Sequence, residues 1–216
     1  RDYKVTGVQT CALPILQRVY YLKVTFRTEL MMLNKLYHKL TRLITFWRVQ
    51  IFIRKKLKAG EPWKLLNGVW LPLYPEIGFD TLRWIVNGQY EQGEANIVIN
   101  KLNSKDKVLE LGTGLGYITA LCCHKIGSER IITYEANPEN VVLAKKVFAK
   151  NGVNPYIHTK LLGEEKSNIV FHVNEQFKLA SATTINKGKS ILVEQESLNE
   201  VISQWQPSFL IMDIEG

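Results

Sequence analysis

The sequence predicts an α/β fold organised on a doubly wound, Rossmann-like parallel sheet, and two stretches carry that prediction. Val108-Leu109-Glu110-Leu111 is a short apolar run that leads directly into Gly112-Thr113-Gly114-Leu115-Gly116-Tyr117 and a helix-forming segment. Strand, glycine turn and helix in that order make a nucleotide-type cradle. Arg130-Ile131-Ile132-Thr133-Tyr134-Glu135 is a second apolar strand ending in an acid, roughly 20 residues beyond the glycines, where a ribose acceptor belongs in such a sheet. Asn137 then caps a helix with Pro138 in its first position and Gly152 closing it, a matched start and stop.

Two ligands compete for the cradle. Glycines at alternate positions let the backbone approach a ligand, because no Cβ intervenes. The following helix turns its positive end to the same place. A dinucleotide site wants G-x-G-x-x-G, but Tyr117 fills the slot of the last glycine. Glu110 lies two places before the first glycine, so Glu110–Gly116 resembles the E/D-x-G-x-G-x-G first motif of class I S-adenosylmethionine (SAM) methyltransferases. That spacing suits a ligand without a pyrophosphate and favours SAM over a dinucleotide. The Glu110 carboxylate is expected to steady the SAM ammonium directly or through water, and Glu135 to accept both ribose hydroxyls. The expected cofactor-binding set is Glu110, Gly112, Thr113, Gly114, Gly116, Tyr117, Glu135 and Asn137, with Glu91 just upstream facing either the cofactor or the acceptor mouth.

Charge divides the chain. The net charge is +8, but residues 16–60 carry eleven basic residues against one acid, Glu29, and 61–216 sum to −3. The basicity therefore belongs to a leader, and the acidic body opposes nucleic-acid binding. Residues 1–15, RDYKVTGVQTCALPI, read as the translation of a sequencing-library adapter and are set aside. Residues 16–60 form the basic helical leader, 61–106 a lead-in, and 107–216 the SAM-binding domain. Cys122 and Cys123 are adjacent and cannot staple each other usefully; so few thiols fit a reducing, cytoplasmic setting. His38, His124, His158 and His172 are scattered singly, so no metal site is expected.

Within the leader, helix is expected over 28–58. Leu33, Leu36, Tyr37, Leu40, Leu43, Ile44 and Trp47 recur near a 3.6 period, with Lys35, Lys39 and Arg42 on much of the other face. Such a helix packs on the body with a wet basic side, the favoured expectation, or lies on an anionic membrane surface. Its apolar run falls short of the ~20 residues of a span. Further on, Gly68–Tyr74 reads as a strand, and 81–86 and 95–102 as helices. Tyr156–Leu162 is expected as the third sheet strand, with 168–173 and 191–194 also extended. The polar stretch 175–188 reads as a loop, with Ser181, Thr183 and Thr184 as acceptor contacts. Ser197-Leu198-Asn199-Glu200 has capping-box form before a helix ended by Pro207. Ser208–Asp213 is the fourth core strand.

Over roughly 90–216 the chain resembles the FkbM-type SAM-dependent methyltransferases. The matching pieces are Tyr90-Glu91, Glu110–Gly116, Glu135-Ala136-Asn137-Pro138-Glu139-Asn140, Asn151-Gly152, Phe171-His172-Val173-Asn174, Ala180-Ser181, Ser197-Leu198 and Asp213-Ile214-Glu215-Gly216. The resemblance implies a class I fold, SAM as cofactor and O-methylation of a hydroxyl on a sugar, glycan or small metabolite. It puts Asp213 at the methyl group and acceptor. A hydroxyl needs somewhere to lose its proton; Asp213 is the first candidate base and Glu215 the second, with His158 and His172 weaker. A class I sheet has three more strands beyond the fourth, so a chain ending at Gly216 is expected to be incomplete, to expose an unpaired edge and to fold or bind SAM poorly. The rivals are a non-catalytic membrane-surface or partner-binding protein with a SAM-like fold, and an NAD(P)-dependent oxidoreductase.

Overall fold

Short apolar runs separated by capped helices assemble here as a parallel sheet, in the order the hydrophobic pattern requires. The computed structural model describes residues 13–173, 180–181 and 189–213, with side chains for 31, 33–171 and 190–213. The chain divides into two units, 1–50 and 51–216.

Helix α1 (Leu13–Lys58) is longer than the expected 28–58. No glycine interrupts it before Gly60, and its one proline, Pro14, sits in the first turn, where a missing N–H costs nothing. Lys55, Lys56 and Lys58 in the last turn complement the negative end of the helix dipole. The residues of the expected apolar stripe are not the ones that are buried. Leu33, Leu36, Tyr37, Leu40, Leu43, Ile44 and Trp47 are all exposed, whereas the buried residues are Val49 and Ile53. At 3.6 residues per turn, those two lie about half a turn around the helix from the apolar stripe.

The lead-in opens with a hairpin, β1 (Trp63–Leu66) against β2 (Val69–Pro72). The first of these strands had no separate signal. Asn67 and Gly68 sit at φ of 47° and 84°, the left-handed pair a two-residue type I′ turn demands. Helices α2 (Phe79–Asn87) and α3 (Gln92–Lys101) follow, each within a few residues of its expected span.

The main sheet contains β3 (Val108–Leu111), β4 (Ile131–Tyr134), β5 (Tyr156–His158) and, later in the chain, the fourth core strand. Helix α4 (Tyr117–Ile126) crosses from β3 to β4, and α5 (Pro138–Asn151) from β4 to β5. As expected, Asn137 caps α5, its side chain accepting the Glu139 N–H, and Gly152 closes it in a left-handed conformation. All four residues of β3 are buried, as in a parallel strand covered on both faces. The thiols of Cys122 and Cys123 are buried in α4.

The segment expected as one strand, 156–162, is broken in two. Its second half is β6 (Leu161–Gly163), which belongs to a separate sheet with β7 (Ser167–Val173), β8 (Ala180–Ser181) and β9 (Lys189–Ser197), in the order β6-β9-β7-β8. The break falls at Lys160, whose Nζ binds Glu194 at 2.8 Å and Glu196 at 2.5 Å, both on β9. The Tyr134 hydroxyl, on the main sheet, donates to Glu196 at 3.0 Å and links the two sheets. Thr183 and Thr184 lie outside the described residues; Ser181 contributes its backbone to β8.

Helix α6 (Leu198–Trp205) starts at Ser197, but the capping box does not form. Ser197 Oγ donates instead to the Glu164 carbonyl at 3.2 Å, and Glu200 pairs with Lys166 at 2.6 Å. Tertiary partners outcompete the local pair. Trp205 Nε1 donates to the Val108 carbonyl at 2.9 Å and seats α6 at the foot of β3. Strand β10 (Phe209–Met212) then joins β3 in parallel, giving the order β10-β3-β4-β5. This is a class I, Rossmann-like arrangement with β3 central. Leu109, Leu111, Tyr134 and Val201 form a core cluster between this sheet and α6.

One glycine has a purely structural task. Gly116 sits at φ 80°, and a Cβ there would lie 2.7 Å from Phe148 Cε1 and 3.1 Å from the Ala144 Cβ, both on α5. Gly116→Ala is expected to destabilise the protein by about 2–4 kcal/mol, from the left-handed backbone and the overpacked contact together. Urea unfolding of the two proteins side by side measures it.

Candidate functional site

The glycine loop is held to the neighbouring strand by its own backbone. Gly112 N–H donates to the Tyr134 carbonyl at 2.9 Å, and Gly116 N–H closes the turn on the Thr113 carbonyl at 2.8 Å. Gly112, Gly114 and Gly116 lie at φ of 91°, 54° and 80°, conformations in which a side chain is strained. Their surroundings differ. Gly116 makes room for α5, as above, rather than for a ligand. Gly114 faces open space: a Cβ there would meet only Glu91 Oε1 and the Tyr90 hydroxyl, each at 3.9 Å. Gly114 therefore has the space beside it that Gly116 lacks.

Beneath the loop Glu110 is only 2% exposed. Its Oε2 accepts from the Thr119 hydroxyl and from the Thr133 hydroxyl at 2.6 Å. Thr133 Oγ1 also lies 2.5 Å from Thr113 Oγ1. A hydroxyl has one proton to give, so with Thr133 donating to Glu110, Thr113 donates to Thr133. Burial pushes the Glu110 carboxyl up to about 7, against the pull of both hydroxyls. The expected direct contact with a ligand ammonium is thus joined by a bracing role: Glu110 ties strand, loop and helix through two threonines.

Glu135, buried just past β4, bridges the loop and the next helix. Its Oε2 accepts the Gly114 N–H at 2.8 Å, and its Oε1 accepts the Asn137 N–H at 2.8 Å. Burial raises its pKa, while these backbone donors pull the other way. Asn137 is 1% exposed, and its Nδ2 is buried with no hydrogen-bond partner. A buried amide left unsatisfied calls for an explanation, and a bound group supplying an acceptor is one.

Tyr90 and Glu91 form the opposite wall. Glu91 sits at φ 44°, a left-handed conformation rare for a side-chain-bearing residue. Burial drives its carboxyl up to about 8; a hydrogen bond with Tyr90 opposes this, and the charges of Glu110, Asp213 and Glu94 add to it. Burial also pushes the Tyr90 hydroxyl well above its ordinary range, reinforced by Glu91, Asp213 and Glu135. Asp213 follows β10 at the carboxyl edge of the sheet, exposed, its N–H donating to the Leu111 carbonyl at 3.0 Å. Carboxyl groups from four segments thus surround one loop, and the strongest influences on Glu91 and Glu110 include no Lys or Arg.

Other expected residues stand elsewhere. Tyr117 is fully buried; its hydroxyl accepts from Asn67 Nδ2 at 2.8 Å, and its ring lies 5.9 Å from that of Tyr90. It supports the wall from behind and is not open to a ligand. His158 stacks on Tyr134 with 4.8 Å between ring centroids. Glu215 and the His172 side chain lie outside the described residues. Among the described residues, no group of three His, Cys, Asp or Glu side chains could hold a metal ion. Sequence reasoning missed Thr119, Thr133 and the hydroxyl of Tyr90. Thr133 carried a usable signal, as the one polar residue in an otherwise apolar strand.

Comparison with known proteins points one way. Residues 93–175 match the family described as protein-L-isoaspartate(D-aspartate) O-methyltransferase. Over 92 residues the chain is 35% identical to a protein named as a protein N5-glutamine methyltransferase in Methanocaldococcus jannaschii, covering 41% of this chain and 40% of that one. The chain therefore spans well under half the length of this curated relative. Among solved structures, the YcgJ protein of Bacillus subtilis aligns at a TM-score of 0.28 and 20% identity, over 31% of this chain and 29% of that one. A Pyrococcus abyssi tRNA (uracil-54, C5)-methyltransferase, solved with S-adenosyl-L-homocysteine, aligns at 0.34 and 18% identity, over 44% and 22%. The family and the curated relative are both methyltransferases, and the cofactor they imply is S-adenosyl-L-methionine. Neither is of the FkbM type, so the coarser assignment, SAM-dependent methyltransferase, is the one they carry.

The Glu110 carboxyl gives a stability signature. Its folded-state pKa, about 7, lies above the unfolded value near 4.5. The folded protein therefore holds the extra proton between these values, and stability falls as pH rises through that window, by an amount on the order of 3 kcal/mol. Glu110→Gln is expected to flatten the fall in melting temperature between pH 5.5 and pH 8, read by circular dichroism.

Proposed function

We propose that the chain carries the donor-binding part of a SAM-dependent methyltransferase acting on a neutral hydroxyl, on a sugar, glycan or small metabolite. The observation that supports this most directly is the carboxyl-lined cradle, with the Glu135 bridge from Gly114 to Asn137 and the unpartnered Asn137 amide. SAM is a cation that brings its own leaving group, so the protein's task is alignment, dryness and charge.

These residues fit such a ligand. Glu135 stands beside both Gly114 and Asn137, its carboxylate held in place by their backbone N–H groups, and it is the acceptor proposed for the ribose hydroxyls. Asn137 Nδ2 is free to donate. Gly114 leaves room for the amino-acid end, with Glu110 bracing the loop below. Glu91, Glu110 and Asp213 repel one another across the cradle, and a sulfonium and an ammonium relieve that repulsion. The same acids argue against an anionic carboxylate acceptor. A hydroxyl meets no such repulsion, and Asp213, exposed at the sheet edge, accepts its proton.

A side-chain amide is the second acceptor to consider, favoured by the name of the 35%-identical relative. It too is neutral. Offering the protein a glycan hydroxyl set and a glutamine peptide with labelled SAM separates the two. Asp213→Asn is expected to slow transfer to a hydroxyl by about 10²–10⁴-fold, the usual worth of a positioned base, while leaving the SAM Kd within a few-fold.

Donor binding is tested without turnover. Calorimetric titration is expected to detect SAM and not NADH, and Glu135→Ala to weaken SAM about 10–100-fold through loss of charge-assisted hydrogen bonds. A cation lowers the raised carboxyl pKa values, so binding releases protons. The SAM Kd therefore falls as pH rises from 6 to 7.5, and Glu91→Gln reduces that slope. Uptake of NADH with no response to SAM refutes the proposal.

A further inference from the structure

The exposed apolar stripe of α1 is not explained by anything the cradle does. Leu33, Leu36, Leu40, Leu43, Ile44 and Trp47 are each 49–62% exposed. They share roughly a third of the helix circumference over about 21 Å of its length. A contiguous apolar strip of this kind on a surface marks an interaction site.

What borders the strip identifies its partner. By helical position, Lys39 lies along one margin and Arg48 along the other, and Arg54, Lys55 and Lys58 continue it toward the helix end. Lys39, Arg48 and Arg54 are exposed. No acid occurs between Glu29 and Glu61. Trp47 and Tyr37 supply rings suited to a headgroup boundary, apolar in body and polar at one edge. No described helix is long and apolar enough to cross a membrane. A second copy of this helix is a poor occupant, because its cations would repel these. We propose that α1 lies in the surface of an anionic lipid bilayer, its apolar stripe among the acyl chains and its marginal Lys and Arg residues on the headgroups.

The proposal is independent of the methyl-transfer assignment and holds whether or not the cradle binds SAM. The test is flotation of the whole 216-residue chain with vesicles of phosphatidylcholine alone and of phosphatidylcholine mixed with phosphatidylglycerol. Binding is expected to the mixed vesicles only and to be released by high salt. The triple change Leu40→Ser, Leu43→Ser and Trp47→Ser is expected to abolish it. These side chains are exposed, so the melting temperature checks that the fold survives. A second variant, Lys39→Gln with Arg48→Gln and Arg54→Gln, leaves the stripe intact and is expected to weaken partition by on the order of 100-fold. Failure of the wild type to float with anionic vesicles overturns the proposal, as does equal binding by the serine variant. Sedimentation equilibrium covers the other occupant: a wild-type dimer that becomes monomeric in the serine variant, without lipid binding, assigns the stripe to self-association instead.

Discussion

The hydrogen bond from the Gly114 N–H to Glu135 Oε2 is the constraint on which the rest of the site depends. A loop with three left-handed glycines has few side-chain contacts of its own and large conformational entropy to lose. It is fixed from outside, by the Tyr134 carbonyl at one end and the Glu135 carboxylate at the middle. The same carboxylate holds the first turn of α5 through the Asn137 N–H. One buried acid thereby sets the distance between the loop and the next helix. The price is desolvation, seen in the raised Glu135 pKa, and backbone donors offset part of it.

That arrangement explains why carboxyl groups gather here without basic partners. A buried acid without a cation is destabilising, and Glu91 and Glu110 respond by keeping their protons to higher pH. On the function proposed above, the unfavourable charge is localised where the cationic donor binds. Binding energy is then available from relief of repulsion as well as from new contacts, and it is selective for charge. A neutral thioether gains less of it than a sulfonium does.

Which parts of this were legible in the sequence follows from the range of the interactions involved. The β3–loop–α4 unit, the acid after β4 and both caps of α5 carry their signals within a few residues of sequence, and all stand where the pattern put them. The failures have distant causes. An apparently continuous strand breaks at Lys160, whose ammonium pairs with Glu194 and Glu196, more than thirty residues on. Ser197 and Glu200 match a capping box, yet Glu164 and Lys166 take both side chains. Tyr117 reads as part of a ligand loop, but Asn67 holds it from a hairpin fifty residues upstream. Gly116 belongs to the motif by spacing and to the α5 contact by packing. A pattern can name the residues of a cradle without saying which touch the ligand and which touch the scaffold.

Helix α1 carries the same lesson at a larger scale. Its periodicity gave the helix, but periodicity is silent on what covers an apolar face. Burial went instead to Val49 and Ile53, on the opposite side. The apolar stripe is edged by cations, with no acid between Glu29 and Glu61. The body, by contrast, is net acidic and concentrates carboxyl groups at the cradle. Under the two proposals above, a chain that segregates charge this strongly keeps its two surfaces from competing for one partner: an anionic surface is attracted to the helix and repelled by the mouth proposed to take up a cation.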